Sequence, residues 1–509
     1  MAGRAATSRI IRGRHAISVN DPGHPIPRGW HRIALGDVAD LGTGHTPSRH
    51  HPEYWDGGVP WIGIRDAGAH HGRVIVDTVQ TVSDQGLANS AARLLPKDTV
   101  CLSRTASVGY VVKMGREMAT SQDFVTWSCL EPLDADYLMN ALLAEGQDIR
   151  RFGEGSTHTT IYFPEVKAFH IDLPPKAEQR RIVAKLNTLM ARLAHARAEM
   201  NRVPILSQHG HTAILRTGVS GALTRDWRGK RTNEPVASLL RRLPVPQQGR
   251  GGRSATDKVI PGTAALAVNH PGTRLPDGWA WVPLLRVAKQ ETGHTPSRSQ
   301  SAYWDGGIPW IGIRDAGAHH GRSIDETMQT ISSEGLANSS ARVLPAGTVC
   351  LSRTASVGYV TIMARPMATS QDFATWTCGD ALLPEYLMYA LMAEGEDIRK
   401  FGMGSTHTTI YFPEIRAFHI ALPPIAEQHA ISARIKTAIE RAHRLEAEAA
   451  RARELLDRLE SAILAKAFRG ELVPQDPNDE PASVLLDRIR AERAAAPKPK
   501  RGRRAAADA

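Results

Sequence analysis

The chain has no run of about 18 apolar residues, so no segment reads as a helix crossing a bilayer. Its first 25 residues lack the apolar core of a secretory signal, which predicts a cytoplasmic protein without membrane partners. Only 4 cysteines occur in 509 residues, and none forms a C-x-x-C pair. That pattern argues against a disulfide scaffold and a zinc ribbon. Aromatics make up 6%, which favours mixed α/β or α-rich domains over a large β-sandwich. Neither a phosphate-binding G-x-x-x-x-G-K-S/T loop nor an H-E-x-x-H metal helix is present. What the chain does have is 42% hydrophobic residues, enough for real cores. It also has 63 Lys and Arg against 52 Asp and Glu, a net charge of +11 that points first to a polyanionic partner.

The dominant feature is a duplication. His45-Thr-Pro-Ser-Arg49 and the residues after it return from His294, at an offset of about 249 residues without a gap. Between Thr43 and Pro175 roughly 70% of positions match their partners. The cysteines are two positions seen twice, Cys101/Cys350 and Cys129/Cys378, and read as small buried apolar residues. Each copy divides at Leu-Pro-Pro, ending at Pro175 and Pro424. Before it, strand-like runs such as Thr99-Val-Cys-Leu-Ser103 alternate with turns such as Asp56-Gly-Gly58 and with short helical patterns. This predicts a mixed α/β (α+β) globule.

After Leu-Pro-Pro the period changes. Ile182, Leu186, Leu189 and Leu193 in the first copy, and Ile431, Ile435, Leu445, Leu456 and Leu459 in the second, belong to stripes stepping by four and three. Such a 3.5-residue seam predicts two long helices packed as a coiled coil. Pro204 falls inside the first and is expected to kink or interrupt it. The boundaries expected are globules at 27–175 and 276–424, and helices at 176–224 and 425–472. A flexible basic linker is expected at 225–275, and a C-terminal segment with a disordered basic tail at 473–509. Antiparallel pairing of the helices would set the globules at opposite ends of a rod with a pseudo-two-fold axis. Half-sites one turn of B-DNA apart are about 34–36 Å apart, a distance such a rod can span.

Several motifs carry a resemblance. They are Pro27-Arg-Gly-Trp30 and Pro276-Asp-Gly-Trp279, and Trp55-Asp-Gly-Gly-Val-Pro-Trp61 and Trp304-Asp-Gly-Gly-Ile-Pro-Trp310. To these add Leu173-Pro-Pro-Lys-Ala-Glu-Gln179, Leu422-Pro-Pro-Ile-Ala-Glu-Gln428 and Ala467-Phe-Arg-Gly-Glu-Leu472. Taken together the chain resembles the specificity subunits of type I restriction–modification systems. The first copy departs at Gly218-Val-Ser-Gly-Ala-Leu223, which lacks the Glu. The resemblance implies a non-catalytic reader of double-stranded DNA with two target recognition domains. It implies docking of two methyltransferase subunits, and of motor-nuclease subunits in the full restriction complex. S-adenosylmethionine, ATP and magnesium would then belong to those partners and not to this chain. In line with this, the Pro-Pro pairs are not part of an Asn/Asp-Pro-Pro-Tyr/Phe motif. The alternative is a DNA-binding coiled-coil protein outside restriction, sequence-specific or architectural.

Base reading needs polar side chains on accessible loops. Four Gly-punctuated loops recur unchanged. The first supplies Arg65, His70, His71 and Arg73, repeated as Arg314, His319, His320 and Arg322. Adjacent His residues rarely face one ion, so no metal site is expected there. The second supplies Ser103, Arg104, Thr105 and Ser107, repeated as Ser352, Arg353, Thr354 and Ser356. The third supplies Gln122 and Gln371. The fourth supplies Ser156, Thr157, His158, Thr159 and Tyr162, repeated as Ser405, Thr406, His407, Thr408 and Tyr411. Arginine suits guanine and glutamine suits adenine. No catalytic residue is expected. Two equal readers under a two-fold axis predict an interrupted palindromic target.

Overall fold

The structure is a computed structural model that describes residues 5–105, 107–153, 159–230, 234–249, 254–354, 356–402 and 408–495. The chain forms two compact units: one from Met1–Glu199 with Arg451–Ala509, the other from Met200–Ala450.

In the first unit a four-stranded sheet has the order Ile11–Arg12, Ile17–Val19, Phe169–Leu173, His31–Ala34. A five-stranded sheet follows the order Ala39–Thr43, Phe124–Cys129, Val100–Ser103, Val111–Met114, Val74–Ile75. A three-stranded sheet holds Trp55–Ile62 between Ala119–Thr120 and Gln80–Val82. Val-Cys-Leu-Ser and Phe-Val-Thr-Trp are buried at every position, because both faces of that sheet are covered. The helix Ala135–Glu145 lies in the same core, where the Tyr137 hydroxyl donates to the Asp172 carbonyl at 2.8 Å. The second unit repeats the three sheets. Cys101 and Cys350 are fully buried, while Cys129 and Cys378 are partly so.

Asp56-Gly-Gly58 makes a bulge within its strand, where Trp55 and Val59 both pair with Val82. A Cβ on Gly57 would sit 2.2 Å from Ser83 Cα, so only glycine fits.

The long helices are Lys176–Val219 and Ile425–Phe468. The Glu-Gln after Leu-Pro-Pro has a mechanical reason. Gln179 Nε2 donates to the Pro132 and Pro174 carbonyls at 2.9 Å, and its Oε1 accepts from the Asp134 N–H at 2.8 Å. Gln428 does the same with Ala381, Pro423 and Leu383. Each helix start is thereby stapled to its own globule. In the first unit Ile182, Leu186 and Leu193 share a core with Ile463, Ala467 and Phe468. Arg181 pairs with Asp479 and Arg197 with Asp457 and Glu460, so the segments run in opposite senses. In the second unit Leu215 and Val219 pack with Ile431 and Ile435, and His211 meets His443.

Several expectations need correction. The fold starts before residue 27, since the Ile11–Arg12 and Ile17–Val19 strands belong to the first sheet. The stretch 225–275, expected to be a flexible linker, holds helices Arg225–Arg228 and Val236–Arg242 and strands Ile260–Pro261 and Leu266–Val268. Strands of two or three residues are too short to show a period. The C-terminal segment ahead of the expected tail forms the helix Ala482–Ala495, with Ala482, Leu485 and Leu486 buried. The basic cluster at Lys498, Lys500, Arg501, Arg503 and Arg504 lies outside the described residues. The first long helix is not interrupted at Pro204, an exposed position where one backbone hydrogen bond is forgone. In the seam Leu189 and Leu456 are partly buried, but Leu445 and Leu459 are 60% and 49% exposed. Glu446 and Glu460 turn inward in their place, because a straight helix drifts from a strict heptad.

Candidate nucleic-acid interface

The expected loop residues fall into distinct groups. Arg104 and Gln122 come together with Tyr162 and Phe163. The Arg104 guanidinium lies 4.6 Å from the Phe163 ring and donates through Nη2 to the Gln122 carbonyl at 3.2 Å. Burial lowers its pKa, opposed by Asp123, and its buried Nε has no hydrogen-bond partner among the described residues. Arg353 repeats this with Phe412 at 4.5 Å and the Gln371 carbonyl at 3.0 Å. Gln122 is exposed, and its Oε1 accepts from the Thr46 hydroxyl at 2.6 Å, which leaves the amide nitrogen to donate. Thr295 and Gln371 do the same. Tyr162 and Tyr411 are exposed beside these groups.

The hydroxyls of the second loop serve the loop itself. Ser103 is buried, donating to the Ser107 carbonyl at 2.6 Å and accepting from the Tyr110 N–H at 2.8 Å. Ser352 is equally buried and bonded to the Ser356 carbonyl. Thr105 donates to Asp123 at 2.7 Å and Thr354 to Asp372 at 2.6 Å. Ser103, Ser352, Thr105 and Thr354 therefore shape the turn that presents the arginines.

A separate group forms around His71. Its Nδ1 accepts from the Val111 N–H at 3.1 Å, and burial lowers its pKa. It lines a cavity with Ser107 and Arg150. In the other unit His320 and Ser356 line a cavity with Arg399 and with Gln208 and Thr212 of the long helix. Arg65 and Arg314 are exposed on the helices Ile64–Ala69 and Ile313–Ala318. Buried Asp66 caps the first of these, accepting from the Gly63 and Val79 N–H groups. His70 and His319 close those helices by donating to the Asp66 and Asp315 carbonyls. Arg73 and Arg322 are exposed on the turn that follows. Thr159 and Thr408 are partly buried. Ser156, Thr157, His158, Ser405, Thr406 and His407 lie outside the described residues.

The loop reading missed Arg49 and Arg298. Arg49 stacks 4.0 Å from the Trp55 ring, and Arg298 4.9 Å from that of Trp304. It missed Thr46 and Thr295 as well. The signal was present, since His45-Thr-Pro-Ser-Arg49 is identical in both copies. Among the described residues, no group of three or more His, Cys, Asp or Glu is placed to hold a metal ion. No described helix is long and apolar enough to cross a membrane.

One α/β module used twice, each copy offering arginine, glutamine and histidine on shaped loops, defines a duplicated nucleic-acid reader. The model of the type I restriction modification DNA specificity domain matches residues 27–202 and 276–451. The chain belongs to that family: it is a DNA specificity subunit, a reader and not an enzyme. It is 22% identical over 491 residues to the EcoDI specificity subunit of Escherichia coli, covering 92% of this chain and 96% of that protein. It is 28% identical over 161 residues to the MjaIX specificity subunit of Methanocaldococcus jannaschii, 31% of this chain and 37% of that one. The fold is similar to the HsdS subunit from Thermoanaerobacter tengcongensis, with TM-score 0.58 and 21% identity over 89% of this chain and 99% of that one. A structure described as showing complex assembly and conformational transition of a type I R-M system gives TM-score 0.60 and 21% identity, covering 88% and 100%.

Proposed function

We propose that each unit reads one half of a bipartite, palindromic DNA target, and that the long helices set the spacer between the halves. The helices then form an antiparallel coiled coil about a pseudo-two-fold axis. One observation carries this reading. The Thr46–Gln122–Arg104–Phe163 arrangement recurs as Thr295–Gln371–Arg353–Phe412. Equal readers related by a two-fold prefer equal, inverted half-sites. Methylome sequencing of cells carrying the system is expected to return such a motif, and a direct repeat would count against it.

One difference favours a second reading. Glu291 lines a cavity with Arg353 and Tyr411 where the first unit has Gly42. The Glu291 Oε1 is paired with Lys289 at 3.0 Å and Arg342 at 3.6 Å, and the other oxygen would accept from cytosine N4, so one base of that half-site would differ. The methylome distinguishes the two readings directly.

Partners follow from the same proposal. Two methyltransferase subunits dock on the long helices and bring S-adenosylmethionine. Motor-nuclease subunits bring ATP and magnesium, and the complex works in the cytoplasm. The helices keep large apolar residues uncovered, with Ile205, Leu206 and Leu445 in one unit and Leu455 and Leu459 in the other, all 49–61% exposed. Leu445→Lys with Leu459→Lys is expected to weaken co-purification with the methyltransferase about tenfold while leaving stability within about 0.5 kcal/mol. Undiminished co-purification would place docking elsewhere.

A further inference from the structure

The repeat continues beyond the long helices. Glu234-Pro-Val-Ala-Ser-Leu-Leu240 follows the first, and Glu480-Pro-Ala-Ser-Val-Leu-Leu486 follows the second. Both are anchored alike: the Val236 N–H donates to the Gly278 carbonyl at 3.0 Å, and the Ala482 N–H to the equivalent Gly29 carbonyl at 3.1 Å. In the second unit the chain then runs on as a strap, Pro244-Val-Pro-Gln-Gln-Gly249, along the outer edge of the strand Ala288–Thr292. Gln248 Nε2 donates to the Leu285 and Ala288 carbonyls at 2.9 and 3.0 Å, and its Oε1 accepts from the Gln290 N–H at 3.0 Å. Arg286 clamps the strap through the Leu243 and Pro244 carbonyls at 2.9 and 3.3 Å. An open strand edge invites pairing, and here the chain covers its own.

The equivalent edge in the first unit, Ala39–Thr43, has no such cover among the described residues. Its charge is reversed. Exposed Asp37 and Asp40 stand where the second unit has Arg286 and Lys289. The helix Ala482–Ala495 brings the chain into this unit, and 14 residues follow it. They begin Ala496-Pro-Lys-Pro-Lys-Arg-Gly-Arg503. The strap and the tail share Pro-x-Pro-x-x-Gly-Arg, at Pro244–Arg250 and Pro497–Arg503. Three neutral strap residues, Val245, Gln247 and Gln248, become Lys498, Lys500 and Arg501. Edge and cover have both changed, and they have changed in opposite directions.

We propose that the C-terminal tail covers the outer edge of Ala39–Thr43, with its Lys and Arg residues against Asp37 and Asp40, as the strap covers Ala288–Thr292. Arginine keeps the donor role that Gln248 plays toward two backbone carbonyls, and because it has no acceptor a backbone carbonyl of the tail takes the place of Gln248 Oε1 at the Leu41 N–H. The reach suffices. The helix Ala482–Ala495 is 14 residues against 7 for Val236–Arg242, so the tail starts about 10 Å further on. Arg501 follows Ala495 by six residues, and six extended residues at ~3.3 Å each span about 20 Å, twice that offset.

Hydrogen exchange on the full chain, and on a chain ending at Ala495, tests this. The Leu41 amide, equivalent to Gln290, is expected to exchange about tenfold faster without the tail, while Gln290 itself does not change. Asp37→Lys with Asp40→Lys should give the same loss. Adding Lys498→Glu, Lys500→Glu and Arg501→Glu to that pair should restore protection. Equal exchange at Leu41 with and without the tail overturns the proposal. So does protection that rises with protein concentration, which would make a second copy the cover. A tail whose removal alters only salt-dependent affinity for duplex DNA belongs to the DNA, and the proposal fails.

Discussion

Glu427→Ala is expected to lower the stability of the second unit by about 3 kcal/mol, read as a fall in its urea midpoint. Glu427 is fully buried at the start of the second long helix. It accepts from the Thr224 hydroxyl at 2.7 Å, from Trp279 Nε1 at 2.9 Å and from the Arg228 guanidinium. Those three donors tie the segment after the first helix to the Pro-x-Gly-Trp motif. Removal leaves a buried indole N–H and hydroxyl without an acceptor, and a mostly buried guanidinium without its counter-charge. Glu427→Gln keeps one acceptor and should cost less. The equivalent Glu178 has no arginine in that place, and burial raises its pKa, with Arg181 opposing. Its folded pKa is above the unfolded value, so this group favours folding at acid pH. That contribution is lost as pH rises through the raised value. Glu178→Gln should therefore stabilise the first unit at about pH 8, and the gain should vanish towards about pH 4. A Glu427→Ala protein as stable as the parent would mean the three donors find other acceptors.

The duplication, the division at Leu-Pro-Pro and the two long helices were legible because each rests on many residues. A 44-residue helix writes its period a dozen times over. The strand Ile17–Val19 writes nothing, since three buried residues have no period. The strap was legible as a Pro- and Gln-rich run, but not as an edge cover. Its hold is made by carbonyls and one glutamine, Gln248. Composition suggested flexibility where tertiary hydrogen bonds fix the chain. Leu445 and Leu459 were misassigned to the seam because a strict 3.5-residue count was carried too far along a straight helix. Among the candidate site residues, Arg104 and Gln122 were picked out by their repetition. Ser103 was found by the same rule for a different reason, since an internal bond to Ser107 is as repeatable as a contact with DNA. Identity between copies marks constraint, and only geometry divides constraint of shape from constraint of reading.

Replacing Arg104 and Arg353 together with alanine is expected to cost about 2–6 kcal/mol of binding to the specific target. That is roughly 30-fold to more than 10⁴-fold in Kd. Each guanidinium is held by an aromatic face and one backbone carbonyl, so it is immobilised before DNA arrives. Little rotamer entropy remains to be lost on contact. Its Nε is buried and has no hydrogen-bond acceptor among the described residues, so a base would be met by the terminal guanidinium nitrogens. A bidentate contact to a base accounts for about 1–3 kcal/mol in each half-site, and distant half-sites add. The single substitutions should each relax one half of the motif and leave the other intact. Affinity for unrelated duplex should barely change. Phosphate contacts predict otherwise: weakening uniform over all sequences, with the salt slope smaller by about one per arginine. Stability should fall by the lost cation–π contact and the lost hydrogen bond to the Gln122 or Gln371 carbonyl, about 1–2 kcal/mol per unit. Titration of target and scrambled duplex with the parent and the three variants, at two salt concentrations, measures all of this. If the double variant still discriminates target from scrambled duplex as the parent does, Arg104 and Arg353 are struts for the Phe163 and Phe412 loops, and reading falls to Gln122, Arg49 and their repeats.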